Sequence, residues 1–249
     1  MKLADKLREL EEFEDQLFLS VIVELLEVWP SCDDKTDADI ERCIVLLILK
    51  TYPNCGILSE ESYHDYSQTN YPTLFLIDPI DGSHNRSRGL PYYSICICKY
   101  QNKVASSSAV FIPHWNTVYL ADSRKSFRVN LLGVADLRTS DYRCKSQRFI
   151  SMFKKDLMKA DLLEEKVRLI SCSSIDLCLL AQGSLDVFVD RVGYEKECDV
   201  AAALHILDRA GGVFVYKSWN ENIPIPSPDW LTPMRLVAAS TEESLSEYI

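Results

Sequence analysis

Two aspartates, Asp78 and Asp81, stand three positions apart at the end of a short apolar run. The run, residues 74–77, has the length and the polar flanks of a buried β-strand. Pro79 cannot donate a hydrogen bond to a neighbouring strand, so it is expected to bend the chain and to turn both carboxylates into one small space. Carboxylates that close repel each other unless a cation lies between them. The pair therefore predicts a cation site.

Gly82 and Ser83 come directly after this pair. Glycine gives a small and permissive backbone, and serine is a frequent helix N-cap. The free N–H groups at a helix start can hold an anion. Acidic ligands followed by such a helix start indicate metal-assisted chemistry on a phosphate group.

Acids elsewhere in the chain could complete the site. Glu60 follows the predicted strand 56–58, and Asp199 precedes the predicted helix 200–210. The backbone carbonyl of Ile80 is a further oxygen ligand. Magnesium prefers oxygen ligands and retains several waters, so three or four carboxylates around one or two ions form a chemically sensible site. The alternative interpretation, solvated surface acids, suits any one of these residues but not the joint pattern.

Three other kinds of site fit less well. An aspartyl-phosphate mechanism needs acids two positions apart, whereas Asp78 and Asp81 are three apart, so metal-activated water is favoured. The loop 33–39 resembles a calcium loop, but it lacks the turn glycine and has Ile44 in place of the bidentate glutamate. A solvated helix start capped by Asp37 or Asp39 is the preferred interpretation. Glycine-rich nucleotide fingerprints are missing from the sequence.

Composition narrows the class of protein. The chain has 249 residues and a formal net charge of −10, which argues against a general binder of nucleic acid or anionic membranes. Its nine cysteines form no C-x-x-C pair and are expected to be reduced. The first residues lack the apolar core of a signal peptide, and the most apolar segment, 17–29, is too short to span a bilayer. We expect a cytoplasmic protein without membrane or nucleic-acid partners.

Apolar periodicity predicts one amphipathic helix over the first thirty residues, ending near Pro30, and a second helix up to about Thr51. Three β-rich runs between residues 92 and 121 indicate an antiparallel meander. Residues 122–165 show weak periodicity. Beyond Arg168, strands and helices alternate, which is typical of a layered α/β arrangement. The turn 171–174 is most simply a helix cap, and the alternative is the wall of a substrate pocket that includes Ser173.

The motifs together resemble the inositol monophosphatase family. The matching segments are S-E-E-S at 59–62, D-P-I-D-G-S-H-N at 78–85, and C-D-V-A-A-A at 198–203 followed by A-G-G-V at 210–213. The resemblance covers about residues 35–240 and implies the layered α-β-α-β-α sandwich of the sugar phosphatases. We predict an N-terminal α+β half, 1–139, that carries the metal motifs, and a C-terminal α/β half, 140–249, that completes the site. The short length is similar to that of archaeal members.

The resemblance also assigns roles. It implies two or three Mg²⁺ ions, the first held by Glu60, Asp78 and the carbonyl of Ile80, the second by Asp78, Asp81 and Asp199. Ser83 and an upstream aspartate would orient the attacking water, with Asp37 chosen for that aspartate and Asp39 as the fallback. The remaining assignments are backbone N–H groups that cradle the phosphate (Gly82 and Ser83), an acid that binds a substrate hydroxyl (Asp190), and a residue that orients the ligands (Glu61).

The implied activity is magnesium-dependent hydrolysis of a small sugar or polyol phosphate, inositol 1-phosphate and/or fructose 1,6-bisphosphate, by a homodimer. Two alternatives stay open. One is a phosphatase of the 3′-phosphoadenosine 5′-phosphate type, and the other is a non-catalytic, metal-binding regulatory protein on the same scaffold. The sequence departs from the family at Cys198, where a tryptophan is common, and Arg86 and Arg88 add charge beside the phosphate site.

Overall fold

The computed structural model describes residues 2–61, 70–139, 148–153, 166–218 and 230–249, and it has a mixed α/β architecture. Its helices are α1 (Leu3–Arg8), α2 (Gln16–Val28), α3 (Asp37–Thr51), α4 (Ser83–Ser87), α5 (Ser173–Ala181), α6 (Glu197–Arg209) and α7 (Glu242–Ser246). Among the described residues, no helix combines the length and the apolar character needed to cross a bilayer.

The first sheet contains seven strands in sequence order: β1 (Gly56–Ser59), β2 (Thr73–Asp81), β3 (Ser94–Gln101), β4 (Val104–Ile112), β5 (Thr117–Ala121), β6 (Ser126–Asn130) and β7 (Gly133–Asp136). The β1 and β2 strands are parallel, and every later neighbour is antiparallel. The predicted meander is thus confirmed, and it continues for two strands into the stretch that lacked a periodic pattern.

The second sheet has the spatial order β11-β12-β10-β8-β9. Its strands are β8 (Phe149–Met152), β9 (Lys166–Arg168), β10 (Val187–Glu195), β11 (Val213–Ser218) and β12 (Met234–Ala239). The β8 strand is parallel to β9 and β10, whereas β12 is antiparallel to β10 and β11. The expectation of a partly parallel second sheet is therefore confirmed. The division at residues 139 and 140 falls between the two sheets and stays a prediction.

Three clusters of buried apolar side chains lie between the layers of helices and sheets. The first joins helices α1–α3 to one face of the seven-stranded sheet, for example Phe18 to Phe75, whose rings are stacked. The second places α5 and α6 between the other face of that sheet and the five-stranded sheet. The third lies on the far face of the second sheet and includes Leu245 of α7. The α-β-α-β-α order of layers puts the start of α6 next to the strand ends of the first sheet.

The single N-terminal helix predicted for residues 1–30 is wrong, because the chain breaks between α1 and α2. Asp15 caps α2 by accepting a hydrogen bond from the N–H of Phe18, at 3.0 Å. The side chain of Gln16 donates to the carbonyls of Leu10 and Phe13 within the break. Leu10 and Phe13 are buried all the same, so the apolar repeat continues through a segment that is not helical.

Candidate active site

Four carboxylates come from the ends of neighbouring elements. Glu60 directly follows β1, Asp78 and Asp81 lie in β2, and Asp199 lies in the first turn of α6. Because β1 and β2 are parallel neighbours, their carboxyl ends lie at the same edge of the sheet. Carboxylate oxygens of Glu60 and Asp199 lie within 4.8 Å of each other and of the Cys198 thiol. The structure thus brings together acids that are far apart in the sequence.

The β2 strand does not stop at Asp78 but continues to Asp81 with an irregular register against β3. The side chain of Asp78 accepts a hydrogen bond from the N–H of Ile80 at 2.8 Å. The irregularity falls at Pro79, which has no N–H group for the strand ladder. The bend expected at this proline is therefore a local distortion inside the strand, and it sets the separation of the two aspartates.

Burial and mutual repulsion make Asp78, Asp81 and Asp199 difficult to ionise. Burial, followed by the charges of Asp199, Asp81 and Glu60, raises the pKa of Asp78 well above its usual range. Burial and the charges of Asp81 and Glu60 raise the pKa of Asp199 to about 7. Asp81 also has a raised pKa because of burial, although hydrogen bonds from Ser174 and Cys172 oppose the shift. A bound divalent cation would offset this repulsion.

Asp81 is held by a segment from the other half of the chain. Its Oδ2 atom accepts a hydrogen bond from the backbone N–H of Ser174 at 2.8 Å and another from the Ser174 hydroxyl. The thiol of Cys172 lies 3.2 Å from the same oxygen. The turn 171–174, predicted as a helix cap or a pocket wall, therefore fixes a candidate metal ligand.

Lys196 is a site residue that the sequence interpretation missed. Its ammonium group lies 2.7 Å from Glu60 Oε1, and its backbone N–H donates to Asp199 at 2.9 Å. Burial would lower the pKa of Lys196, but the hydrogen bond and charge of Glu60 and the charge of Asp199 raise it. Its position three residues before Asp199 is the feature of the sequence that could have identified it as a site residue. A protein cation thus lies among the acids.

Ser83 and Asp37 meet at the start of two helices. The Ser83 hydroxyl lies 2.8 Å from Asp37 Oδ2 and 2.9 Å from the carbonyl oxygen of Ile80. Asp39, the fallback candidate, instead lies 2.7 Å from the hydroxyl of Thr36, the residue that caps α3. Asp37 is therefore the aspartate beside Ser83.

Arg86 fixes the orientation of Asp37. Its Nη1 atom donates to Asp37 Oδ1 at 2.8 Å, and its Nη2 atom donates to the carbonyls of Asp33 and Lys35 at 2.6 and 2.7 Å. Arg86 was noted in the sequence only as a charge near the phosphate position. In the structure, it ties α4 to the loop that precedes α3.

Gly82 has a left-handed backbone with φ of +87° directly before α4. A Cβ atom at this position would lie 2.7 Å from the carbonyl oxygen of Tyr92. Both the conformation and the close approach require glycine. Its N–H group and that of Ser83 remain our candidates for holding the phosphate.

Asp190 and Ser173 lie in the second half of the chain. The carboxylate of Asp190 is fully buried and accepts hydrogen bonds from the N–H groups of Gly193, Tyr194 and Glu195. Ser173 is buried and hydrogen-bonded to Glu195. Burial and the charges of Asp199 and Asp81 raise the pKa of Glu195 well above its usual range. Glu195 is a further acid that the sequence interpretation missed.

Glu61 is exposed, and its backbone N–H donates to the carboxylate of Glu41 at 2.9 Å. Glu41 is buried and also accepts a hydrogen bond from the Ser59 hydroxyl. Partial desolvation and the charges of Glu60, Asp37 and Glu41 raise the pKa of Glu61. Glu41 thus supports the backbone on both sides of Glu60.

The fold is that of the inositol monophosphatases. An extragenic suppressor from Pyrococcus furiosus superimposes with a TM-score of 0.76 at 18% identity, and the alignment covers 94% of this chain and 99% of that one. The inositol monophosphate-bound structure of SaIMPase-II gives a TM-score of 0.74 at 19% identity and covers 94% and 92% of the two chains. At this level of identity, the similarity establishes the fold.

The sequence profile described as the inositol monophosphatase family matches residues 34–249. The chain therefore belongs to the inositol monophosphatase family, whose members are phosphatases. A fructose-1,6-bisphosphatase/inositol-1-monophosphatase of Aquifex aeolicus is 27% identical over 191 residues, which are 73% of this chain and 69% of that protein. The protein named Nus factor SuhB of Xylella fastidiosa is 29% identical over 197 residues, 72% and 68% of the two chains.

The donor set fits a metal ion. Carboxylates with raised pKa values, from the buried Asp78 and the half-buried Asp81 and Asp199, form the hard oxygen environment that Mg²⁺ prefers. The carboxylate of Glu60 lies beside that of Asp199. The Cys198 thiol lies 3.1 Å from Asp199 Oδ1, so it contacts a candidate ligand.

Proposed function

We propose that this protein is a magnesium-dependent phosphomonoesterase that hydrolyses a small sugar or polyol phosphate, inositol 1-phosphate and/or fructose 1,6-bisphosphate. The contact between Asp37 and Ser83 beside the acid cluster is the observation that carries the proposal. Two or three Mg²⁺ ions, held by Glu60, Asp78, Asp81, Asp199 and the carbonyl of Ile80, would supply Lewis-acid activation of water and of the ester oxygen.

The residues of the chain then have defined tasks. Asp37 accepts a hydrogen bond from the Ser83 hydroxyl, which leaves the lone pairs of the Ser83 oxygen free to accept a hydrogen bond from the attacking water. The N–H groups of Gly82 and Ser83, at the start of α4, bind the phosphoryl oxygens. Asp190 and Ser173 are our candidates for contacts with the substrate hydroxyls, and Glu61 for support of the ligands. No residue in this scheme forms a covalent intermediate.

The test is phosphate release from inositol 1-phosphate, fructose 1,6-bisphosphate and 3′-phosphoadenosine 5′-phosphate, with and without Mg²⁺. We expect magnesium-dependent release from one of the first two. Preference for the third substrate would favour the nucleotide-type alternative. Binding of Mg²⁺ without phosphate release from any of the three would favour the regulatory alternative. The name of the Xylella fastidiosa relative, Nus factor SuhB, is a further reason to test that alternative.

The variant Asp78→Asn tests the proposed metal site. Asparagine can still accept the hydrogen bond from the N–H of Ile80, whereas it removes one of the negative charges that repel each other in the site. We expect loss of turnover and weaker Mg²⁺ binding together with a higher midpoint of thermal unfolding in metal-free buffer. Full activity of this variant in excess Mg²⁺ would contradict the proposed site.

We also propose a cytoplasmic homodimer that acts on a small-molecule phosphate and binds neither nucleic acid nor membrane. The acidic net charge of −10 supports the lack of affinity for polyanions. Sedimentation of the purified chain tests the dimer, and a filter-binding assay with RNA at low salt tests the nucleic-acid prediction.

A further inference from the structure

Two cysteine sulfurs lie close together in space and flank the candidate water-orienting Asp37 in the sequence. The Sγ atoms of Cys32 and Cys43 lie 3.8 Å apart. Cys32 is buried at the end of a short 3-10 turn, Trp29–Ser31, while Cys43 lies in α3 and is partly exposed. The carboxylate chemistry of the site does not use either thiol.

The loop between these cysteines positions Asp37. Arg86 binds the carbonyls of Asp33 and Lys35 in this loop and the carboxylate of Asp37 at its end. The hydroxyl of Tyr93 donates to Asp33 Oδ1 at 2.8 Å, which holds the first loop residue. Any displacement of Asp33 therefore reaches Asp37 through Arg86.

We propose that Cys32 and Cys43 form a reversible disulfide that displaces the loop 33–36 and slows the reaction by moving Asp37 relative to Ser83. A disulfide requires the sulfurs to approach to about 2.05 Å. Cys43 is held within the hydrogen-bonded helix α3, so Cys32 makes most of the movement. Asp33 follows Cys32 directly and moves with it.

The reactant is a small disulfide such as oxidised glutathione. The thiolate of Cys43, the more exposed of the pair, attacks one sulfur of the reagent, which releases one glutathione thiolate and leaves a mixed disulfide. The Cys32 thiolate then attacks the Cys43 sulfur and releases the second glutathione thiolate. The two cysteine thiols lose two protons and two electrons; the reagent gains both and leaves as two molecules of reduced glutathione. Dithiothreitol reverses both steps.

The experiment treats reduced full-length protein with oxidised glutathione and locates disulfides by peptide mapping. We expect a Cys32–Cys43 disulfide, a fall in kcat on the order of tenfold to a hundredfold, and full recovery with dithiothreitol. Cys43→Ser should retain its activity under the same treatment. Cys55→Ser is the matched control, because Cys55 is also partly exposed, and this variant should still be inactivated.

The effect on activity rests on the proposed function, whereas the disulfide does not. Hydrogen–deuterium exchange over residues 33–37 distinguishes a failure of the disulfide proposal from a failure of the proposed function. Faster exchange on oxidation reports the loop movement whether or not the protein hydrolyses the substrates tested. Mapping without a Cys32–Cys43 bond overturns the proposal. Equal inactivation of wild type and Cys43→Ser, or unchanged exchange and kcat after the bond has formed, overturns it as well.

Discussion

Asp37 Oδ2 lies 2.8 Å from the Ser83 hydroxyl although the two residues are 46 positions apart in the sequence. Each residue is the first of a helix, α3 for Asp37 and α4 for Ser83, and Arg86 holds the other carboxylate oxygen of Asp37. The pair is therefore fixed from both sides. Its geometry depends only on atoms of the protein.

The first prediction concerns this pair. Ser83→Ala removes the hydroxyl that is proposed to contact the attacking water, so kcat should fall about 100-fold or more while Mg²⁺ affinity changes little. Ser83→Thr should keep most of the activity because it keeps the hydroxyl. Ser87→Ala is the control, since within the described part of the chain the Ser87 hydroxyl donates only to the carbonyl of His84 in the same helix. Steady-state kinetics and calorimetric Mg²⁺ titration decide the outcome.

A second prediction uses two glycines with similar backbones. Gly82→Ala should lower the free energy of unfolding by about 3 kcal/mol, since it adds a collision with the Tyr92 carbonyl to the cost of positive φ. Gly89 also has positive φ, but a Cβ atom there would meet no atom of the described residues within 4 Å, apart from its own chain neighbours. Gly89→Ala should therefore cost only about 1 kcal/mol. Urea unfolding compares the two, and equal losses would refute the close-approach argument.

The third prediction concerns the contact between Lys196 and Glu60. Lys196→Met removes a cation that shares Glu60 with the metal, so Mg²⁺ affinity should rise on the order of fivefold, the equivalent of about 1 kcal/mol for a partly exposed ion pair. Lys196→Arg keeps the charge and should bind Mg²⁺ as the wild type does. Calorimetric titration measures both. Weaker Mg²⁺ binding in Lys196→Met would instead show that Lys196 supports the ligands.

The fourth prediction concerns pH and a residue outside the site. His205 is buried, its Nδ1 atom lies 3.0 Å from the Ser108 hydroxyl, and burial together with the charge of Arg209 lowers its pKa to about 4. In the unfolded chain the pKa of His205 is near 6.5, so the unfolded chain binds a proton at pH values where the folded protein does not. The free energy of unfolding therefore falls as the pH drops below about 6.5.

Between pH 7.5 and pH 5, this single group should remove about 2 kcal/mol from the free energy of unfolding. His205→Gln lacks the titrating ring and should lose correspondingly less stability over the same interval. The measurement is denaturant unfolding of both proteins at the two pH values. Identical pH dependence in the two proteins would exclude His205 as the source.

Four acids of the candidate site, Glu60, Asp78, Asp81 and Asp199, could be predicted because they stand at boundaries that the local pattern marks. Asp78 ends an apolar run, and Asp199 begins the apolar repeat of α6. Local pattern also explains the error near the N-terminus: Leu10 and Phe13 are buried in a turn, and the apolar repeat does not distinguish that turn from a helix.

Contacts between side chains of different elements could not be predicted in this way. The sequence shows that Lys196 is near Asp199, but its pairing with Glu60 depends on how α6 meets the end of β1. The contact between Cys32 and Cys43 likewise depends on the path of the loop before α3. Apolar periodicity predicts which face of a helix or strand is buried. It does not specify which distant residue contacts that face.

The bond between Asp81 and Ser174 joins residues 93 positions apart and links β2 to the start of α5. An isolated segment ending before Ser174 would leave the Asp81 carboxylate without these donors, even with the whole seven-stranded sheet present. Catalytic competence should therefore appear late during synthesis, when the ribosome has released the α5 and α6 segments. A nascent chain halted before that point should bury apolar surface yet turn over no substrate.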